Sequence, residues 1–259
     1  MHFTLIGILT VLGILLGMQG TLEVGRRIGM RRMARDPEGA KAGSGVIDGA
    51  VFGLLGLLIA FTFSGAAARF DARRALIVEE ANSIGTAWLR LDLLPGTAQP
   101  ALREKFRQYL DARLAAFRKI PDLAAAETDL ARANALQTEI WTQAVAACRD
   151  SGSQPATMLL LPALNQMFDV AAARTTGAQM HPPLIIYLML GLLVLAGSLL
   201  AGYGMGVGRI RNWVHALAFV LVMSLAVYVI LDYEFPRVGF IRIHSFDEVL
   251  MDLRQSMKP

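Results

Sequence analysis

The chain is short of cysteine, histidine and charge. Cys148 is its single cysteine, which excludes a disulfide framework and a cysteine-based metal site. The four histidines, His2, His181, His215 and His244, are scattered, with no two at ligand spacing, so no zinc site is expected. No GxxxxGK[ST], HExxH, GxSxG or CxxC occurs. Without a convergent nucleophile, base or metal set, the expectation is no enzyme and no cofactor. Charged residues make up 18% of the 259, against about 25% in soluble domains. A net charge of +4 is too small to point to nucleic acid. No Lys or Arg precedes the first apolar run, and basic residues follow it. That order is the reverse of a cleavable signal peptide, so the run reads as a retained span.

What the chain has is apolar sequence, 54% of all residues, gathered into four blocks. Residues 1–20 read as a first span, with its apolar run from Phe3 to Gly20. Residues 21–45 read as a basic loop carrying Arg26, Arg27, Arg31, Arg32, Arg35 and Lys41. Further spans are expected at 46–68, 184–203 and 213–231, each long enough for about 30 Å of hydrocarbon. Tyr203, Trp213 and Tyr233 lie near span ends, where interfacial aromatics are favoured. "GYGMGVGRIRN" between the last two spans reads as a glycine-dense hinge. His215 lies within the fourth span, and reads as an interfacial side chain hydrogen-bonded to a neighbour.

Residues 69–183 read as a helical soluble domain. Ala, Leu, Arg and Glu dominate, and the breaks fall at turn residues. The first helix extends span two and stops at "LPGTAQP". A second, from Ala101, places Leu102, Phe106, Leu110, Leu114 and Phe117 at helical spacing, giving one apolar face. A third runs from Asp122 to "SGSQP". A fourth, from Ala156, contains Pro162, which is expected to kink it. In the tail, 232–259, "VGFIRIH" suggests an extended piece, and Ser245 with Glu248 has the spacing of a capping box. The fold class is therefore an all-α membrane protein with four transmembrane helices and a helical bundle inserted between spans two and three.

Span two is the informative one. Gly45, Gly49 and Gly53 form a GxxxGxxxG run, and Leu57, Phe61 and Gly65 continue the row. The plain reading is tight helix packing, since glycine lets backbones approach. The sharper one is that several copies ring an axis, with Leu57 and Phe61 as a hydrophobic pore constriction. Four spans with little intramembrane charge cannot easily hold a pore within one chain, so the second reading requires an oligomer. Arg69, Asp71, Arg73 and Arg74 follow directly. They are either a solvated turn with ordinary ion pairs or a charged pore mouth that concentrates small anions.

Positive-inside counting places both short loops, after spans one and three, in the cytoplasm. The helical domain then lies outside, in a multi-pass protein of the bacterial inner membrane.

"LLGLLIAFTFSGAAARFDARRALIVEEANSIGTAWLRLDLLP" and the ending "LDYEFPRVGFIRI" resemble the bacterial bestrophin-like domain family. The likeness covers about Val46 to Leu253, and that family has no settled function. More remotely, Phe61, "SGAAA", then Arg69, Phe70, Asp71 and Arg73 or Arg74, is similar to the second span of bestrophins, which are pentameric anion channels. The order of two spans, helical domain and two spans is shared as well. That resemblance implies a homo-oligomer, a pentamer, in the lipid bilayer, with the second helix lining the pore and Leu57 and Phe61 at its neck. Two departures are plain. The tandem aromatics after the bestrophin Arg are reduced to Phe70, and bestrophins keep the soluble domain in the cytoplasm, opposite to the charge count. The competing expectation is a non-conducting membrane scaffold or sensor whose helical domain binds a protein partner. A scaffold would bury the Gly45–Gly53 row within one chain.

Overall fold

In a computed structural model of the chain, the described residues are 2–41, 44–119, 122–208, 213–236, 241 and 244–257. They form α1 (His2–Arg35), α2 (Pro37–Lys41), α3 (Ser44–Arg90), α4 (Gln99–Lys119), α5 (Leu123–Ser151), α6 (Gln154–Gln179), α7 (Leu184–Val207), α8 (Trp213–Glu234) and α9 (His244–Ser256). A 3-10 turn, Leu91–Leu93, follows α3. Among the described residues there is no strand.

The chain divides into two units, Met1–Phe70 with His181–Ile241, and Asp71–Met180 with Arg242–Pro259. In the first unit, α1 and α7 make the most extensive pairing. Met18, Leu22, Leu55, Ala66, Leu190, Val194, Val220, Val227 and Ile230 form its core. Three helical stretches are long and apolar enough to cross a membrane, within Pro37–Leu93, Gln154–Val207 and Trp213–Glu234. The expected first span falls on α1. Its side chains are described only from Leu9 onward, and it is not among the three.

Two segments differ from the sequence reading. Residues 21–35, read as loop, continue α1 as helix. Arg, Met, Leu and Ile are adequate helix formers, and the break comes only at Asp36, whose carboxylate accepts from the Gly39 N–H at 2.9 Å. The glycine-dense hinge is also helical, through Val207. Its glycines serve close contact rather than bending. A methyl on Gly202 would overlap the Leu22 carbonyl oxygen, and one on Gly206 that of Arg26. On the partner helix, Gly25 meets the Leu199 carbonyl and Gly29 that of Tyr203 in the same way. Two GxxxG pairs thus bring α1 and α7 into backbone contact.

The second unit is a helical bundle. All five expected positions on α4 are buried, with Tyr109, Ala112, Arg113 and Ala116 beside them. The Asp122 carboxylate caps α5 by accepting from the Ala125 N–H at 3.0 Å. Gly152 ends α5 in the left-handed region at φ 62°, the conformation glycine adopts without strain. Ser153 then caps α6 by accepting from the Ala156 N–H at 3.3 Å. α6 runs on as one helix through Pro162. The tail joins this unit: Arg254 on α9 donates to both carboxylate oxygens of Asp111 at 2.8 and 2.9 Å. α9 starts at His244, one residue before the expected cap at Ser245. Apart from Ile241 and the helical His244, the "VGFIRIH" segment lies outside the described residues.

Candidate functional site

α3 is one continuous helix of 47 residues. Its sequence from Ala60 to Arg74 holds no proline, and its one glycine, Gly65, is tolerated within the helix. The apolar stretch therefore runs into charge without a break. Along α3, the row Gly45, Gly49, Gly53, Leu57, Phe61 repeats every four residues, so that each member neighbours the next while the row winds about 40° per step around the helix. All five are exposed. A methyl placed on any of the three glycines would meet nothing within 4 Å. Leu57 is 52% and Phe61 68% exposed. The row is not a packing seam inside this chain; that work falls to Gly25, Gly29, Gly202 and Gly206. The core contacts of α3 come from other residues. Phe52 meets Phe219 edge to face at 6.1 Å, and Phe63 and Phe70 both pack on Tyr233, at 5.6 and 5.2 Å.

The charged residues after the row do different things. In the first unit, Arg69 donates through Nε and Nη2 to one Glu234 oxygen, at 2.9 and 2.7 Å. His181 Nδ1 lies 2.9 Å from the other oxygen, and its ring stacks on Phe235 at 4.6 Å. Glu234 is fully buried, so these partners provide the compensation that a buried carboxylate requires. In the second unit, Arg73 is buried and donates to the carbonyls of Gly177 and Met180, at 3.2 and 2.7 Å. It satisfies the open end of α6, a position where a cation also suits the helix dipole. Arg74 bonds Asp71 at 3.0 Å on the surface. The four residues are thus two internal staples and one exposed pair.

Sequence reasoning missed a fully buried charge cluster in the second unit. Glu80, on α3, is fully buried between Arg113 of α4 and Arg174 of α6, which are 2% and 4% exposed. Arg113 reaches Glu80 at 2.6 Å and also donates to the Thr175 hydroxyl and the Ala171 carbonyl, each at 3.1 Å. Both guanidiniums lie over the Phe117 ring, at 4.9 and 3.6 Å, a cation–π arrangement. The neighbouring Tyr109 phenol is pushed up to about 12, chiefly by burial. Glu80 is 33 residues from Arg113 and 94 from Arg174, so no local spacing could have shown the triad. The two GxxxG pairs are visible in the sequence, but in segments that read as a loop and a hinge.

On α1, Glu23 accepts from Arg26 and Arg27, and those hydrogen bonds hold its carboxyl down at about 2. Among the described residues no group of three or more His, Cys, Asp or Glu could hold a metal ion.

Comparison with known proteins agrees with this architecture. A search of curated proteins found no match. Solved structures give a likeness over nearly the whole chain, to mutated forms of a bacterial bestrophin homologue from Klebsiella pneumoniae. One is 14% identical with TM-score 0.70, covering 94% of this chain and 98% of that one. A second is 13% identical with TM-score 0.69, covering 95% and 96%. A third is 16% identical with TM-score 0.63, covering 96% and 98%. At these identities the likeness establishes the fold. The family model for the Bestrophin-like domain matches residues 20–245, and the chain belongs to that family.

Proposed function

We propose that the protein is a homo-oligomeric anion channel of the bacterial inner membrane. Four helices cross the bilayer, α1, the first half of α3, α7 and α8. Copies of α3 surround the axis, with Gly45, Gly49 and Gly53 along the pore wall and Leu57 and Phe61 at its constriction. The observation that carries this reading is the open row itself. A chain of this fold leaves the three glycines, Leu57 and Phe61 exposed along one four-residue row and packs none of them. A non-conducting scaffold built on those glycines would bury them within one chain. Hydrophobic constrictions of this kind gate by dewetting.

The mouth belongs to Arg74 and Asp71, whose side chains stay exposed, while Arg69 and Arg73 hold the helix ends in place. A pentamer follows from the likeness to bestrophins, small anions are the permeant species, and the protein is not an enzyme. Sidedness follows from charge. Contacts at Gly17–Leu195, Gly25–Leu199 and Gly29–Gly206 show α1 and α7 running in the same direction. Their C-terminal ends, with the basic residues beyond them, therefore share one side, the cytoplasmic one. The helical domain is extracytoplasmic.

Oligomer mass in detergent tests the assembly, and a monomer would end the channel reading. A cysteine at Ala98, in a Cys148→Ser background, tests sidedness. Labelling by an impermeant reagent in intact cells supports the outside assignment; labelling only after lysis reverses it.

A further inference from the structure

We infer that the exposed face of α1 is a binding surface for anionic phospholipid, with acyl chains along its leucines and phosphates held by Arg27, Arg31 and Arg35. The inference rests on reading α1 as a span. Leu9, Leu12 and Leu16 are exposed on α1, as are Val24 and Ile28 further along. Leu9, Leu16, Arg27, Arg31 and Arg35 follow one another at intervals of 7, 11, 4 and 4 residues. Those intervals keep them within about a quarter of the helix circumference. One open stripe thus passes from leucine to arginine without turning inward. The side facing α7 is occupied by Gly25 and Gly29, so the stripe is not part of the α1–α7 contact.

The dimensions suit a lipid leaflet. Leu16 and Arg27 are separated by about 16 Å along the axis. With the apolar run ending at Gly20, Arg27 lies about 10 Å beyond it along the axis, at the level of the headgroups, and Arg31 and Arg35 follow on the same side. The charge is complementary. Arg31 and Arg35, with Arg32 beside them, form no ion pair among the described residues, and Arg27 shares Glu23 with Arg26. Glu23, seven residues after Leu16 and four before Arg27, also lies on this side of the helix and is offset by Arg26 and Arg27, so the charge left over is that of Arg31 and Arg35; Asp36 follows the stripe and Glu38 lies in α2. Guanidinium binds phosphate through paired N–H donors, and basic residues beside a span attract anionic headgroups.

The test uses the full-length protein in mild detergent, with bound lipid measured by native mass spectrometry against added phosphatidylglycerol and phosphatidylcholine. Wild type is expected to retain phosphatidylglycerol in preference, even with excess inorganic phosphate present. The R27Q/R31Q/R35Q variant is expected to hold it roughly a hundredfold more weakly. R31Q alone should lose about fivefold. R132Q/R149Q, which removes exposed arginines from the second unit, should lose nothing. No preference in wild type, equal retention by the triple variant, or full competition by phosphate would overturn the inference. So would disulfide cross-linking between copies through Arg31→Cys in a Cys148→Ser background, which would mean that another subunit covers the stripe. Failure of the span reading is separate: Leu12→Cys would then be labelled by a water-soluble maleimide.

Discussion

Replacing Glu80 with Gln is the severest isosteric change the structure offers. The side chain keeps its size, but one hydrogen-bonding oxygen becomes an NH2 facing a guanidinium. Arg113 and Arg174 stay 2% and 4% exposed, now with a neutral amide in place of the carboxylate they share. Removing one partner of a buried ion pair costs about 3–5 kcal/mol. Typical folding stabilities are about 5–15 kcal/mol, so this is about a fifth or more of the total. For a unit of this size the midpoint of thermal unfolding should fall on the order of 10 °C or more. Circular dichroism at a fixed scan rate measures it. Glu139→Gln provides the control, because its pair with Lys105 is solvent-exposed and exposed pairs contribute about 0–1 kcal/mol. If Glu80→Gln melts within a degree or two of Glu139→Gln, the triad does not hold the bundle and the reasoning fails.

Gly202→Ala should destabilise the protein by about 1–3 kcal/mol or more, because its methyl meets the Leu22 backbone, which cannot swing aside; melting in detergent reads this. Gly53→Ala, with nothing within 4 Å, should leave the monomer fold intact and gain up to about 1 kcal/mol of helix propensity. Any loss of function without loss of melting temperature would then locate Gly53 in contact with another copy. Tyr109 should resist ionisation in spectrophotometric titration. Its phenol is raised to about 12, so the native state favours the neutral form. That stabilisation is complete below the ordinary value near 10 and declines as pH rises from there towards 12. Tyr109→Phe should remove the late-titrating absorbance. A phenol titrating near 10 in the folded protein would contradict its burial.

Local patterns were legible where one helix settled the matter. The unbroken run from Ala60 to Arg74 foretold the continuous α3, and the spacing of Leu102, Phe106, Leu110, Leu114 and Phe117 foretold the buried face of α4. What escaped depends on distant partners. Arg69 could be seen to follow the apolar run, but its acceptor, Glu234, is 165 residues away. The same holds for Glu80 and its two arginines. Glycine misled in both directions for one reason. A GxxxG run shows that a backbone can be approached, and not by what. Gly45, Gly49 and Gly53 are open, while Gly25, Gly29, Gly202 and Gly206, embedded in charge or other glycines, form the seam.

The central claim is that the exposed row of α3 lines an anion pathway, and chloride flux in liposomes tests it most directly. Protein-dependent chloride efflux is expected from wild type, and Leu57→Ala with Phe61→Ala should increase it by widening the constriction, with oligomer mass unchanged. No efflux above protein-free liposomes, from wild type and the double variant alike, would contradict the channel. Efflux that the two substitutions leave unaltered would remove Leu57 and Phe61 from the gate.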